Sequence, residues 1–243
     1  MSAFSPHTVD FDAVYQGKPV AEGAGVAFDL APWDIGEPQP AVVELERDGR
    51  FHGEVLDVGC GLGENAAFLA ARGHRVTGVD GSATGLEEAA RRARARGVEV
   101  AFVCSDATSL AELGDRRFDS VLDSALYHCL DDDQRQRYAE ALHRVTVPGG
   151  QLNLMCFADL DEGVRFPMAV SQENLHANLG THWDIEEIRR ESYTTSLTVD
   201  AFTSLGTQSM TDLGFGIDAE RARCDDQGRV LGPVWQVRAK RRA

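Results

Sequence analysis

The stretch Glu54-Val55-Leu56-Asp57-Val58-Gly59-Cys60-Gly61-Leu62-Gly63-Glu64-Asn65 decides the fold. Its first half is a short apolar run, which predicts a buried parallel strand. Three glycines at alternate positions then break the run. Asn65 to Arg72 follows, helix-forming at almost every position and closed by Gly73 as the residue past the helix end. Strand, glycine turn and helix in that order read as a nucleotide-binding crossover. Glycine suits such a turn because a side chain would hold the ligand off the backbone, and because tight turns use positive φ.

The glycine spacing is G-x-G-x-G, with the acid Asp57 two residues ahead of the first glycine. The dinucleotide fingerprint is G-x-G-x-x-G. The observed spacing resembles motif I of the class I S-adenosylmethionine-dependent methyltransferases. That resemblance implies a Rossmann-like seven-stranded α/β sheet with helices on both faces. It also implies S-adenosylmethionine as cofactor and S-adenosylhomocysteine as product, with backbone near Gly59 and Gly61 close to the methionine part.

Three further carboxylates fall at strand ends. His74 to Asp80 reads as a second strand, and Asp80 lies roughly 20 residues beyond the first glycine, where nucleotide folds use an acid to accept from ribose hydroxyls. Ser82 reads as the cap of the next helix, whose apolar positions are Leu86, Ala89, Ala90 and Ala93. Val98 to Val103 reads as the third strand, and Asp106-Ala107 behind it resembles motif II, whose carboxylate accepts from the adenine amine. Phe118 to Asp123 reads as the fourth strand. Val147-Pro148-Gly149-Gly150 is expected to form a tight turn into a fifth strand, Gln151 to Phe157, and also matches the family. The resemblance thus implies a cofactor pocket of Trp33, Asp57, Gly59, Cys60, Gly61, Gly63, Asn65, Asp80, Gly81, Ser82, Asp106, Ala107 and Asp123.

Ligands in such sheets bind beyond the carboxyl ends of the strands. This puts Asp123, Ser124, Tyr127 and His128 at the mouth where a methyl acceptor would lie. His128 is the candidate general base, by position and pKa range, and Tyr127 a candidate for orienting the acceptor. Each has a plainer reading, as a packed or capping side chain. Asp131-Asp132-Asp133 suits a helix start better than a metal site.

Residues 1–53 read as an N-terminal cap or lid ahead of a methyltransferase domain over 54–243, in one domain overall. Pro32-Trp33-Asp34-Ile35-Gly36-Glu37-Pro38-Gln39-Pro40 is punctuated as an extended loop. It resembles the W-D-x-G-x-P-x-P element of the small-molecule subgroup, which includes thiopurine, thiol and halide methyltransferases and bacterial enzymes that methylate heterocyclic toxins. Ala41 to Leu45 starts a helix. Beyond Phe157 the pattern weakens: Ala158 to Pro167 is loop-like, Ser171 caps a helix, Trp183 to Thr198 is ambiguous, and Val234 to Ala239 is a last strand.

The 243 residues suffice for one α/β domain, and 43% hydrophobic with 26% charged residues is ordinary for a globular chain. A formal charge of −15 disfavours a nucleic-acid partner. The basic run Arg91 to Arg96 is expected to be a solvated helix face and Lys240-Arg241-Arg242 a frayed end. No apolar run approaches a membrane span, and Met1 to Pro6 lacks the pattern of a signal peptide. The five cysteines are scattered, without metal spacing, and read as reduced thiols mostly on buried strands of a cytoplasmic monomer or homodimer. The expected activity is methyl transfer to O, N or S of a small aromatic or heterocyclic acceptor. The competing readings are an NAD-dependent oxidoreductase and a non-catalytic cofactor-binding module.

Overall fold

The computed structural model describes residues 9–19, 31–204 and 214–243. The first eight residues and the glycine-rich stretch over 20–30 lie outside them. The elements run α1 (Phe11–Tyr15), α2 (Pro40–Arg47), β1 (Glu54–Val58), α3 (Glu64–Ala71), β2 (Arg75–Asp80), α4 (Ala83–Ala95) and β3 (Ala101–Cys104). There follow β4 (Phe118–Ser124), α5 (Asp132–Val145), β5 (Thr146–Phe157), β6 (Val164–Arg165), α6 (Gln172–Leu179), β7 (Trp183–Thr198), α7 (Val199–Ser204), β8 (Gly216–Ile217) and β9 (Arg229–Arg241). Among the described residues, seven strands form one sheet in the order β3-β2-β1-β4-β5-β9-β7. The first five are parallel, and β9 inserts antiparallel between β5 and β7. Chain order reverses between β1 and β4, which makes a crevice beyond their carboxyl ends.

Alternation along β1 shows how the sheet is sandwiched. Leu56 and Val58 join a core with Tyr138, Leu142 and Trp183. Val55 faces the other way, into a core with Val42, Leu45, Phe51 and Leu69. Helix α2 is therefore part of the domain core. A third cluster of Val14, Phe166, Leu197, Phe202, Phe215 and Val230 joins α1 to the late elements.

Several expectations shift. Helix α3 starts at Glu64, one residue early, and ends at Ala71, with Gly73 left-handed at φ +93° behind it. Strands β2 and β3 start later than expected, at Arg75 and Ala101. The Pro148-Gly149-Gly150 turn is absorbed into β5 as an irregularity, because the β4 register jumps there and Gly149 supplies φ +75°. The expected loop over 158–167 contains β6, which pairs with β8. The ambiguous stretch after Trp183 is a single strand with a bulge between Ile185 and Glu187. The C-terminal tail is not frayed: Lys240 pairs with Gln151 in β9, Arg241 Nε donates to His143 O at 2.7 Å, and Arg242 N to His182 O at 3.1 Å.

The cysteines are free, but only Cys156 is buried on a strand; Cys104 and Cys224 are exposed. Among the described residues no helix is long and apolar enough to cross a membrane, and no cluster of His, Cys, Asp and Glu could hold a metal ion.

Candidate active site

A cavity of about 750 Å³ opens at the carboxyl ends of β1 to β4, where the sheet order reverses. A wider, open groove of about 1060 Å³ lies at the starts of the same strands, around Glu54, Arg75 and Phe118. It carries no glycine turn, so the cavity at the strand ends is the candidate site.

Its floor is the glycine turn. Gly59, Gly61 and Gly63 have φ of +69°, +52° and +79°. A Cβ on Gly59 would lie 2.7 Å from Leu126 Cβ, and one on Gly61 would lie 2.8 Å from the Tyr15 hydroxyl. Gly63 serves packing instead: its Cβ would meet Ala89 of α4 at 2.9 Å. The turn is pinned to the neighbouring strand, since the N–H groups of Gly59 and Cys60 both donate to Val79 O, at 2.7 and 2.9 Å.

Asp80, Gly81 and Ser82 line the cavity together. Asp80 Oδ2 accepts from the Gly61 N–H and Oδ1 from the Ser82 N–H, both at 2.8 Å. Burial raises its pKa against these bonds. A carboxylate has about four lone-pair sites, so acceptor capacity is left over. Ser82 caps α4, accepting from Gly85 N at 2.9 Å while its hydroxyl donates to Asp12 of α1. Asp106 and Ala107 also line the cavity, and Asp106 Oδ1 accepts from the Thr108 N–H at 2.8 Å. Trp33 lines it from the Pro-rich loop, and its Nε1–H donates to the Tyr15 hydroxyl at 3.0 Å.

The cavity lining does not include Asp57, Cys60, Gly61, Gly63, Asn65, Tyr127 or Asp123. Asp57 alternates with Val58 and so points under the turn, 1% exposed, with Oδ2 unpartnered. Burial, then the charges of Asp123 and Asp80, push its pKa up to about 8. Asp123 is turned into the core. Its Oδ1 accepts from Leu126 N at 2.8 Å and its Oδ2 from the Tyr138 hydroxyl at 2.8 Å, and burial brings its pKa up to about 7. Asn65 Oδ1 accepts from Gln39 N at 3.0 Å, which ties the loop to α3. Burial pushes the Cys60 thiol up, which makes it a poor nucleophile.

The two expected catalytic residues part company. Tyr127 is fully buried, its hydroxyl 3.3 Å from Asn174 Oδ1 and the Arg135 guanidinium over its ring, so it is a core residue. His128 does line the cavity, stacked on Phe157 with centroids 4.0 Å apart. Phe157 in turn stacks on Phe166 at 4.3 Å. His128 Nδ1 accepts the Phe157 N–H at 3.3 Å, which places the ring proton on Nε2. Burial, and then the Arg135 charge, lower its pKa to about 3. A neutral ring with that tautomer keeps Nε2–H as a donor, and the lowered pKa disfavours the general-base role expected from sequence.

Residues that the sequence did not single out complete the walls: Tyr15, Phe166, Met168, Tyr193, Thr195 and Phe215. Nothing in the sequence around Tyr15, in β7 or around Phe166 marks those side chains as facing a ligand. Two wall residues, Ala125 at φ +81° and Met168 at φ +61°, sit in the left-handed region, a strain common at ligand sites. The described lining holds Asp10, Asp12, Asp80, Asp106 and Glu112 and neither lysine nor arginine.

Comparison with known proteins agrees with this geometry. Residues 55–150 match a family model described as a methyltransferase domain. A 2-heptyl-1-hydroxyquinolin-4(1H)-one methyltransferase of Mycobacteroides abscessus is 32% identical over 181 residues, which cover 73% of this chain and 78% of that protein. A solved structure from the conversion of a disulfide bond into a thioacetal group during echinomycin biosynthesis superposes with TM-score 0.75. It shares 31% identity and covers 96% of this chain and 91% of the other. The fold also matches a Burkholderia thailandensis 1,6-didemethyltoxoflavin-N1-methyltransferase with bound S-adenosylhomocysteine. There the TM-score is 0.55 at 21% identity, over 84% of this chain and 77% of that one. With the glycine turn, the ordered strand-end acids and a relative matched over most of both chains, this chain belongs to the small-molecule S-adenosylmethionine-dependent methyltransferases.

Proposed function

We propose that this enzyme moves the methyl group of S-adenosylmethionine to an oxygen, nitrogen or sulfur of a small planar aromatic or heterocyclic acceptor. The carrying observation is the aromatic column of His128, Phe157 and Phe166, which walls the cavity that Gly59 of the glycine turn also lines. Stacked rings favour a flat π-system over an aliphatic chain. The hydroxyquinolinone substrate of the Mycobacteroides relative falls within this range.

The residues present suit the cofactor. Gly59, beside the cavity, and Gly61 leave no room for a Cβ, which would meet Leu126 and the Tyr15 hydroxyl, so the backbone there is bare. Among the described residues the wall acids share the lining with no lysine or arginine. Such walls attract a cationic sulfonium nucleoside and repel a pyrophosphate. In this reading, backbone at Gly59 and Gly61 takes the methionine part, Asp80 the ribose hydroxyls and Asp106 the adenine amine. Trp33, Gly81, Ser82 and Ala107 form walls. Asp57, Cys60, Gly63, Asn65 and Asp123 act from behind, by shaping the turn and the strand ends.

Bound S-adenosylmethionine supplies an electrophilic methyl carbon and a good thioether leaving group. The chain's own part is alignment and exclusion of water. The aromatic wall of His128, Phe157 and Phe166 bounds the acceptor side, and the His128 Nε2–H orients a lone-pair-bearing heteroatom by donating to it. The acceptor reacts through a lone pair that is free without help from His128.

The test is a transfer assay with methyl-labelled S-adenosylmethionine across hydroxylated and N-hydroxylated heterocycles, aromatic thiols, aliphatic thiols, halides and phosphorylated aromatics. Turnover is expected on the flat, unphosphorylated aromatic acceptors. Turnover confined to aliphatic or phosphorylated acceptors, or an NADH-dependent reaction in its place, would sink the reading.

A further inference from the structure

One guanidinium sits behind the cavity and touches three of its supports. Arg92, on α4, donates from Nη1 and Nη2 to Asp34 Oδ1 and Oδ2 at 3.0 and 2.8 Å. The same Nη1 donates to Glu64 Oε1 at 2.8 Å, and Nε to Glu88 Oε1 at 2.8 Å. Arg96, one turn on, reaches Glu64 Oε2 at 2.5 Å. The basic run that the sequence suggests is a solvated face is thus partly a knot: the Arg92 side chain is 20% exposed and the Asp34 side chain 2%. None of these charged groups lines the cavity.

Two partners of Arg92, Asp34 and Glu64, adjoin the Trp33 wall and the glycine turn, while Glu88 ties the guanidinium to its own helix. Asp34 follows Trp33, which lines the cavity and bonds to Tyr15. The Tyr15 hydroxyl occupies the place that a Cβ on Gly61 would need. Glu64 opens α3 directly after Gly63. Helix α4 begins beside Ser82, another lining residue. A buried carboxylate such as Asp34 has a strong preference for the one position where a fork of donors meets it. The fork therefore sets the height of Trp33 above the glycine turn.

We propose that Arg92 is a positioning residue for the cofactor: by clamping Asp34 and Glu64 to α4 it holds the Trp33–Tyr15 wall at a fixed distance from the Gly59–Gly63 turn. The proposal rests on the reading of that turn as the cofactor seat. It assigns no contact between Arg92 and any ligand. Loss of the clamp acts on cofactor affinity, while the acceptor face of Phe157 and Phe166 is left in place.

The experiment is calorimetric titration of the full chain with S-adenosylhomocysteine, together with steady-state kinetics against S-adenosylmethionine. Arg92→Met is expected to raise the cofactor Kd and KM about tenfold, the scale of a small misplacement of a binding wall. Its kcat at saturating cofactor should stay within about twofold. Arg92→Lys, which keeps the charge and loses the fork, should fall between the parent and Arg92→Met. Because Arg92→Met strands the buried Asp34, the double variant Asp34→Asn with Arg92→Met removes both charges and keeps the test open if the single variant does not fold. It should show the same weakened Kd.

Trp33→Phe should also weaken binding, and its effect should not multiply with that of Arg92→Met, since both act on one wall. A Kd within about twofold of the parent in Arg92→Met and in the double variant, even with a lowered Tm, overturns the proposal and leaves Arg92 a stabilising residue alone. Asp80→Ala separates the two readings. If it weakens binding at least about tenfold while the Arg92 variants do not, only the clamp fails. If Asp80→Ala also leaves Kd unchanged, the cofactor seat itself is misassigned.

Discussion

Burial, and then the nearby charges of Asp123 and Asp80, favour the protonated form of Asp57 at neutral pH. Its pKa near 8 stands far above the ~3.9 of an unfolded aspartate. Between those values the folded chain holds a proton that the unfolded chain has released, so the stability of the ligand-free protein falls as pH rises from about 4 to about 8. Asp123, at about 7, adds to the slope up to its own pKa. Asp57→Asn removes one ionisation from the window. The ligand-free variant should gain on the parent in Tm as pH rises from 5 to 8, the margin widening by ~3 °C or more, in calorimetric scans. An equal Tm difference at both pH values would show that Asp57 is charged in the folded state. At this scale the sequence was half legible. Carboxylates at successive strand ends could be ordered by spacing alone. Their side-chain directions could not: strand alternation sends Asp57 beneath the turn, and the bonds from Leu126 N and Tyr138 turn Asp123 inward. The same local turn, with Ala125 left-handed, separates His128 from Tyr127, which neighbouring positions in the sequence present as a pair.

At the scale of the element, the start of α4 does two jobs. Ser82 caps the helix through Gly85 N and donates its hydroxyl to Asp12, and Asp12 also accepts from Thr84 N at 3.3 Å. The short α1 is thereby fastened to the first turn of α4, where a carboxylate suits the helix dipole. Ser82→Ala should cost about 1 kcal/mol in urea unfolding, the usual loss of an N-cap. It should also raise the KM for cofactor, since α1 carries Tyr15 into the wall. A loss of stability with unchanged KM would detach α1 from cofactor binding. Helices announced themselves through caps: Ser82, Asp131 and Ser171 each stand where the side-chain oxygen accepts from the expected backbone N–H. Strand β7 did not, because it is an edge strand with both faces partly exposed and a bulge that breaks its alternation.

At the scale of the molecule, β9 binds the two halves of the sheet. It comes last in the chain yet lies between β5 and β7, paired along nearly its whole length with β7 and from Val234 to Lys240 with β5. We propose that the chain melts as one unit, with no independently stable core over 54–157. Scanning calorimetry should give one transition with van't Hoff and calorimetric enthalpies equal, and removal of 229–243 should abolish folding. Two separable transitions would instead divide the chain. The parallel half was legible because buried parallel strands are continuous apolar runs joined by helices. The acceptor side was not, since its walls come from β5, β7 and the segments around Phe166 and Phe215, which meet only in space.

Among the described residues the charged side chains of the cavity lining are all acidic, and this has a consequence for turnover. On the proposed reading, the carboxylates around Asp80 and Asp106 meet a positively charged nucleoside before reaction and an uncharged sulfide afterwards. The same walls that draw in the fresh donor then have less hold on the spent one, so the chemistry itself loosens its by-product and readies the cup for refilling.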